Sequence, residues 1–568
     1  MRDSLTIGIV GAGGDGVVVL GSLLQRLAAW QGYFSQMPRY YGAQIRGGGS
    51  AVKLGLDGRS LSLPEDSLDI LVCFNWEKYL EFEHELELRG ESLVLFQNNP
   101  STDINLPETS YQVDFSKRSH EVTGSTIDKN IVALGVLLRI VSLDEDQVKR
   151  AIDEDEELKL LKKNIPALEA GGQLFTDFSF PELRLSPARD RSTKLIVHGN
   201  AAMARAAIRG GCRVFFGYPI TPAAEIMHEM QQELSLGKGT YLQAEDEIAS
   251  SAMALGASLT GAKAMTATSG PGFDLMTEML GFATSSEIPL VIIDVQRCGP
   301  STGIPSKSEQ SDLNHAIYGG HGDAPRVVIA PYNMEGCYRL AIESINISQQ
   351  FQIPVILLSD QWLGQTFVST SDEFLKKYYP SESVKRATNT LYDYHRYRLT
   401  EDSISPMADV GSEGLAYQTT GLAHNEKGEP SFNFENNQIM HLKRWSKLMP
   451  LCHRDELVNV LGKEESTRGV ITWGSSAQVV LETVKDLRLE DTLKICIPEL
   501  IHPLPERVKG FIESIEKLLV IEMNYSGQLH RFLRSQIDLP QSTEVYARAG
   551  GQSFRRKELA GPITEMTR

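Results

Sequence analysis

Short, wholly apolar runs alternate with longer amphipathic ones along most of this chain. "LTIGIV" (5–10) has strand length and no polar position, and "VVVLGSLLQRLAAW" (17–30) carries its apolar residues at helical spacing. Strands apolar on both faces and separated by helices predict an α/β organisation with parallel sheets. The alternation continues to about residue 185. "LSPARDRSTK" (185–194) is polar, holds a proline and predicts a linker. A second alternation runs from "KLIVHGNAAMARAAIRGG" to "PVILLSDQWLG", and a third from "GVITWGSSAQVVLETVKDL" to "LLVIEMNYSGQ". Between them, residues 376–465 are rich in Tyr, Asn, Ser and charge, which predicts a long, mostly irregular connector. The pattern thus predicts a multidomain α/β protein with α/β domains at 1–190, 191–375 and 466–568.

Composition narrows the function. The chain has 568 residues, 41% of them hydrophobic and 23% charged, enough for several cores. Its formal net charge of −17 argues against a general role on nucleic acid. No apolar run has the roughly 18 residues of a membrane span. "MRDSLTIGIVGAGG" passes directly into a strand with no signal-like apolar segment, so a cytoplasmic location is expected. The six cysteines (Cys73, Cys212, Cys298, Cys337, Cys452 and Cys496) include no C-x-x-C, so neither a zinc site nor an iron–sulfur cluster is expected on this chain.

"GAGGDG" places Gly11, Gly13 and Gly16 after a strand and before a helix, as a dinucleotide fingerprint requires. The fingerprint also needs an acid about 20 residues on, for the ribose. No Asp or Glu stands between Asp15 and Asp57, where Arg26, Arg39, Arg46 and Lys53 occur instead. That basic segment suits an anionic group better than a bare ribose. In "YGAQIRGGGSAVKLG" (41–55), Arg46 and the glycines after it fit either a phosphate contact or a solvated turn.

Four loops of the second alternation share one character. "GYPITP" (217–222) follows an apolar strand, and its two prolines hold Tyr218, Ile220 and Thr221 nearly still, either as a turn or to present a side chain. "QAEDEIASSAMALGAS" (243–258) starts a helix of small residues with three acids, which serve the helix dipole and also make Glu245 and Glu247 candidate functional carboxylates. "TATSGPG" and "VQRCGPSTG" each end a further apolar strand. In a parallel sheet these ends would gather on one rim, where ligands bind. The set fits a flat cofactor and a small carboxylate.

"GYPITP", "QAEDEIA", "TSGPGF" and "VQRCGPSTG" together resemble the pyrimidine-binding domain of the 2-oxoacid:ferredoxin oxidoreductases. "GAGGDGV" with "YYGAQIRGGGS" resembles that family's gamma-type domain, and "RYRLTEDSISP", "TTGLAHNEKG" and "EMNYSGQL" resemble its alpha subunits. The resemblance covers nearly the whole chain and is greatest to the gamma–alpha fused, 2-oxoglutarate-acting branch. It implies a gamma-type α/β domain at 1–190, a doubly wound thiamine diphosphate pyrimidine-binding domain at 191–375 and a transketolase-C-like α/β domain at 466–568.

The implied reaction converts a 2-oxoacid, CoA and oxidised ferredoxin into acyl-CoA, CO2 and reduced ferredoxin through a thiamine ylide; run backwards it fixes CO2. Glu247 takes the catalytic position against N1′ of the aminopyrimidine, ahead of Glu245. Tyr218, Pro219 and Ile220 line the cofactor, and Thr221 and Arg297 bind the substrate carboxylate. Gly13, Gly14 and Arg46 are candidates for CoA. The chain lacks a diphosphate–magnesium motif, so a beta subunit carrying that half, Mg²⁺ and a [4Fe–4S] cluster is implied.

This chain departs from the family pattern at Cys298, Ser403 and Met407, where glycine, glycine and arginine are common, and at Gln44, where an acid is frequent. The arginine's absence bears on the choice of 2-oxoacid, and a pyruvate or broad-range enzyme is the alternative. An NAD-linked dehydrogenase and a non-catalytic scaffold subunit are the readings from other classes.

Overall fold

The computed structural model describes residues 2–42, 48–60, 63–100, 104–377, 379–388 and 393–568. It is a multidomain α/β protein built on three sheets rich in parallel strands, as the alternating pattern predicts. The chain divides into two compact units, residues 1–198 with 365–377, and residues 199–364 with 378–568. No helix among the described residues is long and apolar enough to cross a membrane.

The first unit holds a nine-stranded sheet. Ser4–Ala12 lies inside it, antiparallel to Gly49–Asp57 and parallel to Ser67–Cys73. The late segment Phe367–Thr370 enters this sheet between Phe34–Met37 and Leu195–His198. The helix Val17–Trp30 packs Leu20, Leu24 and Leu27 into the core beneath it. Helices Lys129–Ile140 and Ile165–Phe178 approach closely because Gly135 and Gly171 face each other's backbone. A Cβ at Gly135 would lie 2.1 Å from the Leu168 carbonyl oxygen.

The second unit contains a seven-stranded and a five-stranded sheet. The first runs Thr240–Gln243, Val214–Gly217, Ala264–Thr268, Leu290–Gln296, Pro354–Asp360, Val327–Ile329 and Leu500–His502. Only Leu500–His502 is antiparallel to its neighbour. Leu290–Gln296 and Pro354–Asp360 are buried at every position, which is why they read as mostly apolar runs. The second sheet is parallel apart from its edge strand Val458–Gly462. One core joins the two, with Trp473 fully buried in it.

Within the stretch expected to be mostly irregular, Phe434–Ser446 is a helix. The Asn433 side chain caps it, accepting from the Asn436 N–H. Its last turn and the next residue bury Lys443 and Lys447, whose ammonium groups meet the buried carboxylate of Glu287 at 2.6 and 2.5 Å. Arg396, also buried, donates to the Glu287 carbonyl oxygen at 2.6 Å. Burial pushes the Glu287 carboxyl up, but Lys447, Lys443 and Arg396 together hold it far below the usual carboxylate range. Burial pushes Lys447 down to about 7. Polar residues therefore pack this segment through a buried charge cluster, which apolar periodicity cannot reveal.

Glu287→Gln removes the shared counter-charge and is expected to cost about 3–5 kcal/mol of stability in urea denaturation. A cost below about 1 kcal/mol would show that the lysines discharge instead of depending on Glu287.

Candidate functional site

The order of the seven-stranded sheet sets the site's position. From Val214–Gly217 the chain crosses to Thr240–Gln243 on one side, then returns to Ala264–Thr268 on the other. The point of reversal, between Val214–Gly217 and Ala264–Thr268, opens a crevice at the strands' C-terminal ends. "GYPITP", "QAEDE", "TSGPG" and "QRCGPSTG" all leave the sheet at this edge, because the four strands before them run parallel.

The loop after Val214–Gly217 is anchored from below. The buried Asn200 amide donates to the Pro222 carbonyl oxygen at 3.0 Å and to the Glu225 carboxylate at 2.8 Å. Tyr218, Pro219 and Thr221 remain exposed on the crevice side of the chain, with Ile220 half-buried. The structure joins this loop to the strand Leu290–Gln296. Arg297, just past the strand's end, is only 6% exposed and donates through Nη1 to the Thr221 carbonyl oxygen at 2.6 Å.

Glu247 is the first residue of the helix Glu247–Leu259. Asp246 caps it, accepting from the Ala249 N–H at 2.7 Å. Two readings were open for the carboxylates of this segment, and burial separates them. Glu245 is exposed, whereas Glu247 is 6% exposed. Small residues at Ser250 and Ser251 let the helix sit low, and both hydroxyls donate to the Glu247 carbonyl oxygen. Gly272 of "TSGPG" lies directly against the carboxylate. A Cβ there would stand 2.4 Å from Glu247 Oε1 and 2.2 Å from Thr268 Oγ1. Burial, reinforced by the charge of Asp246, pushes the Glu247 carboxyl up, while Arg297 opposes the shift.

A cavity of about 490 Å³ adjoins Arg297. Its walls are Gly270, Pro271 and Asp274 on one side, the 297–301 loop on another, and Asn524, Tyr525 and Gln528 of the C-terminal sheet's loops opposite. The Gln310 side chain fixes these parts together. Its Nε2 donates to the Trp473 carbonyl oxygen at 2.8 Å, and its Oε1 accepts from the Ser476 hydroxyl and the Met523 N–H. Sequence reasoning missed this network and, beside the cavity, the buried Asp294 and the half-buried Asp312. An acid inside the apolar run "PLVIIDVQ" was a usable signal for the first of them.

Gly13 and Gly14 sit in the first unit, in the turn before Val17–Trp30, where the Gly13 N–H donates to the Gly48 carbonyl oxygen and Gly14 has a φ of 101°. Arg46 and Gln44 lie outside the described residues. Ser403 adopts a φ of 59°, the left-handed region that explains why glycine suits this position. Met407 is fully buried and is a packing residue in this chain. Cys298 lines the cavity with its thiol against Gly551. No cluster of metal-ligating side chains occurs among the described residues.

Comparison with known proteins agrees with the geometry. Residues 205–442 match the family described as pyruvate flavodoxin/ferredoxin oxidoreductase, thiamine diP-binding, and residues 6–174 match pyruvate ferredoxin/flavodoxin oxidoreductase. The chain is 30% identical to the 2-oxoacid:ferredoxin oxidoreductase subunit alpha of Sulfolobus sp, over 98% of this chain and 96% of that one. It is 35% identical to the 2-oxoglutarate synthase subunit KorA of Methanothermobacter marburgensis, over 65% of this chain and 98% of that one. Among solved structures it is similar to the 2-oxoglutarate:ferredoxin oxidoreductase from Magnetococcus marinus with 2-oxoglutarate, coenzyme A and succinyl-CoA bound. The TM-score is 0.91 and the identity 33%, with each chain covered in full.

Gly272→Ala is expected to displace the Glu247 carboxylate while the core stays intact. With Glu247 read as the catalytic carboxylate, turnover should fall by about 100-fold, the cost of a shift of about 1 Å in a reacting group. Steady-state kinetics with a parallel melting curve checks it, and a Gly272→Ala variant as active as the parent would show that the contact is unimportant.

Proposed function

This chain belongs to the 2-oxoacid:ferredoxin oxidoreductase family, and from that premise we propose that it is the alpha subunit, of the gamma–alpha fused type, of a 2-oxoglutarate:ferredoxin oxidoreductase. The reaction interconverts 2-oxoglutarate, CoA and oxidised ferredoxin with succinyl-CoA, CO2 and reduced ferredoxin. The observation that carries this reading is the buried Glu247 carboxylate, set against a glycine at the sheet's switch point and within the field of a buried arginine.

The crevice fits the aminopyrimidine half of thiamine diphosphate. Gly272 lets the Glu247 carboxylate pack against the "TSGPG" backbone, where a Cβ would stand 2.4 Å from Oε1. Bound there, the cofactor supplies a carbon nucleophile that stabilises negative charge when the 2-oxoacid loses CO2. Glu247 would hold a proton at N1′, a task its raised proton affinity suits. Tyr218, Pro219 and Ile220 would line the ring. Thr221 would offer its hydroxyl to the substrate carboxylate, and Arg297 would pair with the same group. The hydrogen bond from Arg297 to the Thr221 carbonyl holds these two residues as one receptor, so little entropy is lost when substrate binds.

The rest of the active site would come from a partner. A beta subunit would supply the diphosphate half, Mg²⁺ and a [4Fe–4S] cluster, and ferredoxin would take the electrons. Gly13, Gly14 and Arg46 of the gamma-type domain (1–190) are proposed to face CoA. A pyruvate or broad-range 2-oxoacid enzyme is the second reading. It is favoured by the acids Asp274, Glu309 and Asp312 around the cavity, which do not suit a second carboxylate.

The complex should reduce a viologen dye anaerobically with CoA, and faster with 2-oxoglutarate than with pyruvate. A preference for pyruvate moves the substrate and keeps the mechanism. Inactivity on every 2-oxoacid with a cluster-bearing partner present refutes the assignment. Glu247→Gln should lower kcat by about 10²–10⁴ with the fold retained, and a normally active variant would remove Glu247 from the mechanism. Arg297→Lys should act mainly on KM for the 2-oxoacid, because a lysine cannot form the two-pronged contact.

A further inference from the structure

Asp294 and Asp312 form a carboxyl pair behind Arg297 that the proposed chemistry does not use. Asp294 stands in the strand Leu290–Gln296, fully buried, and neither of its side-chain oxygens has a hydrogen-bond donor. Asp312 Oδ2 is likewise buried and without a donor. The two carboxyl groups lie within hydrogen-bonding reach of each other. Two ionised carboxylates offer only acceptors, so such a contact needs a proton on one of them. Asp312 is held in place from both sides. Its N–H donates to the Gln296 side chain at 3.1 Å, and Gly270 leaves room for its carboxylate. Asp312 also lines the cavity beside Arg297, whereas Asp294 is sealed beneath it.

The surrounding charges are mixed. Asp274 on the helix Gly270–Leu275 and Glu309 on the preceding loop act on the pair from the cavity side, and Arg297 acts from the strand's end. Asp274 is itself partnered by His315, at 3.3 Å. Glu247 also acts on Arg297. Burial and the neighbouring acids push Asp312 up to about 7, and burial with the charge of Asp312 pushes Asp294 far above the usual range.

We propose that Asp294 and Asp312 share a proton and act as a positioning pair that sets how much of Arg297's charge is free for the substrate carboxylate. This rests on the reading of Arg297 as the carboxylate's receptor. With the pair fully protonated, Arg297 presents its whole charge to the ligand. When one proton leaves Asp312 for the water of the cavity, the resulting carboxylate competes with the ligand for the guanidinium. Asp294 keeps its proton and donates it to Asp312. Substrate binding therefore weakens as pH rises through neutrality, without any change in the reacting groups.

The test uses the complex as purified with its partner. KM for the 2-oxoacid should rise about tenfold between about pH 6 and pH 8.5, with a smaller change in kcat. Asp312→Asn should abolish this rise, and an unchanged rise in that variant overturns the proposal. Infrared spectroscopy of protein labelled with ¹³C at the aspartate carboxyl gives a readout independent of activity. At about pH 8.5, where Asp312 has lost its proton, a protonated-aspartate carbonyl band should persist and should disappear in Asp294→Asn, where the amide keeps the hydrogen bond without the acid. If the wild-type protein lacks that band the proposal fails, whether or not the variants fold. Arg297→Ala separates the two claims. If it leaves KM unaltered, the receptor reading fails, while the infrared band still judges the pair.

Discussion

A buried guanidinium organises this site. Arginine does not give up its proton, so taking Arg297 out of water has to be offset by acceptors and counter-charge placed around it. The Thr221 carbonyl meets it, and Glu247 and the ionised form of Asp312 supply negative charge. The proline-bracketed loop then has a clear physical role. It brings a backbone acceptor to Arg297 and holds the Thr221 backbone at the same time. A flexible loop would lose entropy on each binding event, whereas this one has lost it on folding.

The sheet delivers those groups to one place. Parallel strands put all their C-terminal ends on the same edge, and the reversal of strand order opens the crevice there. Small residues then decide how closely the parts can meet. Gly272 admits the Glu247 carboxylate and Gly270 admits that of Asp312. The C-terminal sheet closes the cavity through Gln310, a single side chain that bonds to Trp473, Ser476 and Met523. Loops of two sheets thereby form one wall, held by directional hydrogen bonds as well as apolar packing.

Legibility of the site differed residue by residue. Three of the four rim loops could be read because each follows a mostly apolar run, and such runs mark buried parallel strands, whereas the strand Thr240–Gln243 before "QAEDE" is mostly exposed. Glu245 and Glu247 could not be ranked from their own segment, since both stand where the pattern starts a helix. The family pattern favoured Glu247, and burial in the structure sets the two apart. Asp294 was visible as an acid in an apolar strand, but its partner Asp312 was not, because "QSDL" looks like any polar loop. The helix Phe434–Ser446 was missed because, besides Met440, the residues it buries are Lys443 and Arg444, and Lys443 pairs with Glu287.

The amino-acid sequence by itself determined the α/β class, the parallel strands and the loops at their ends, because these depend on local hydrophobic period and on proline and glycine. Its motif set also identified the family. Only the tertiary structure decided which acids are buried and which charges meet. Burial and counter-charge arise between residues far apart in the chain, as Arg297 and Thr221 or Glu287 and Lys443 show, and no local pattern encodes that distance.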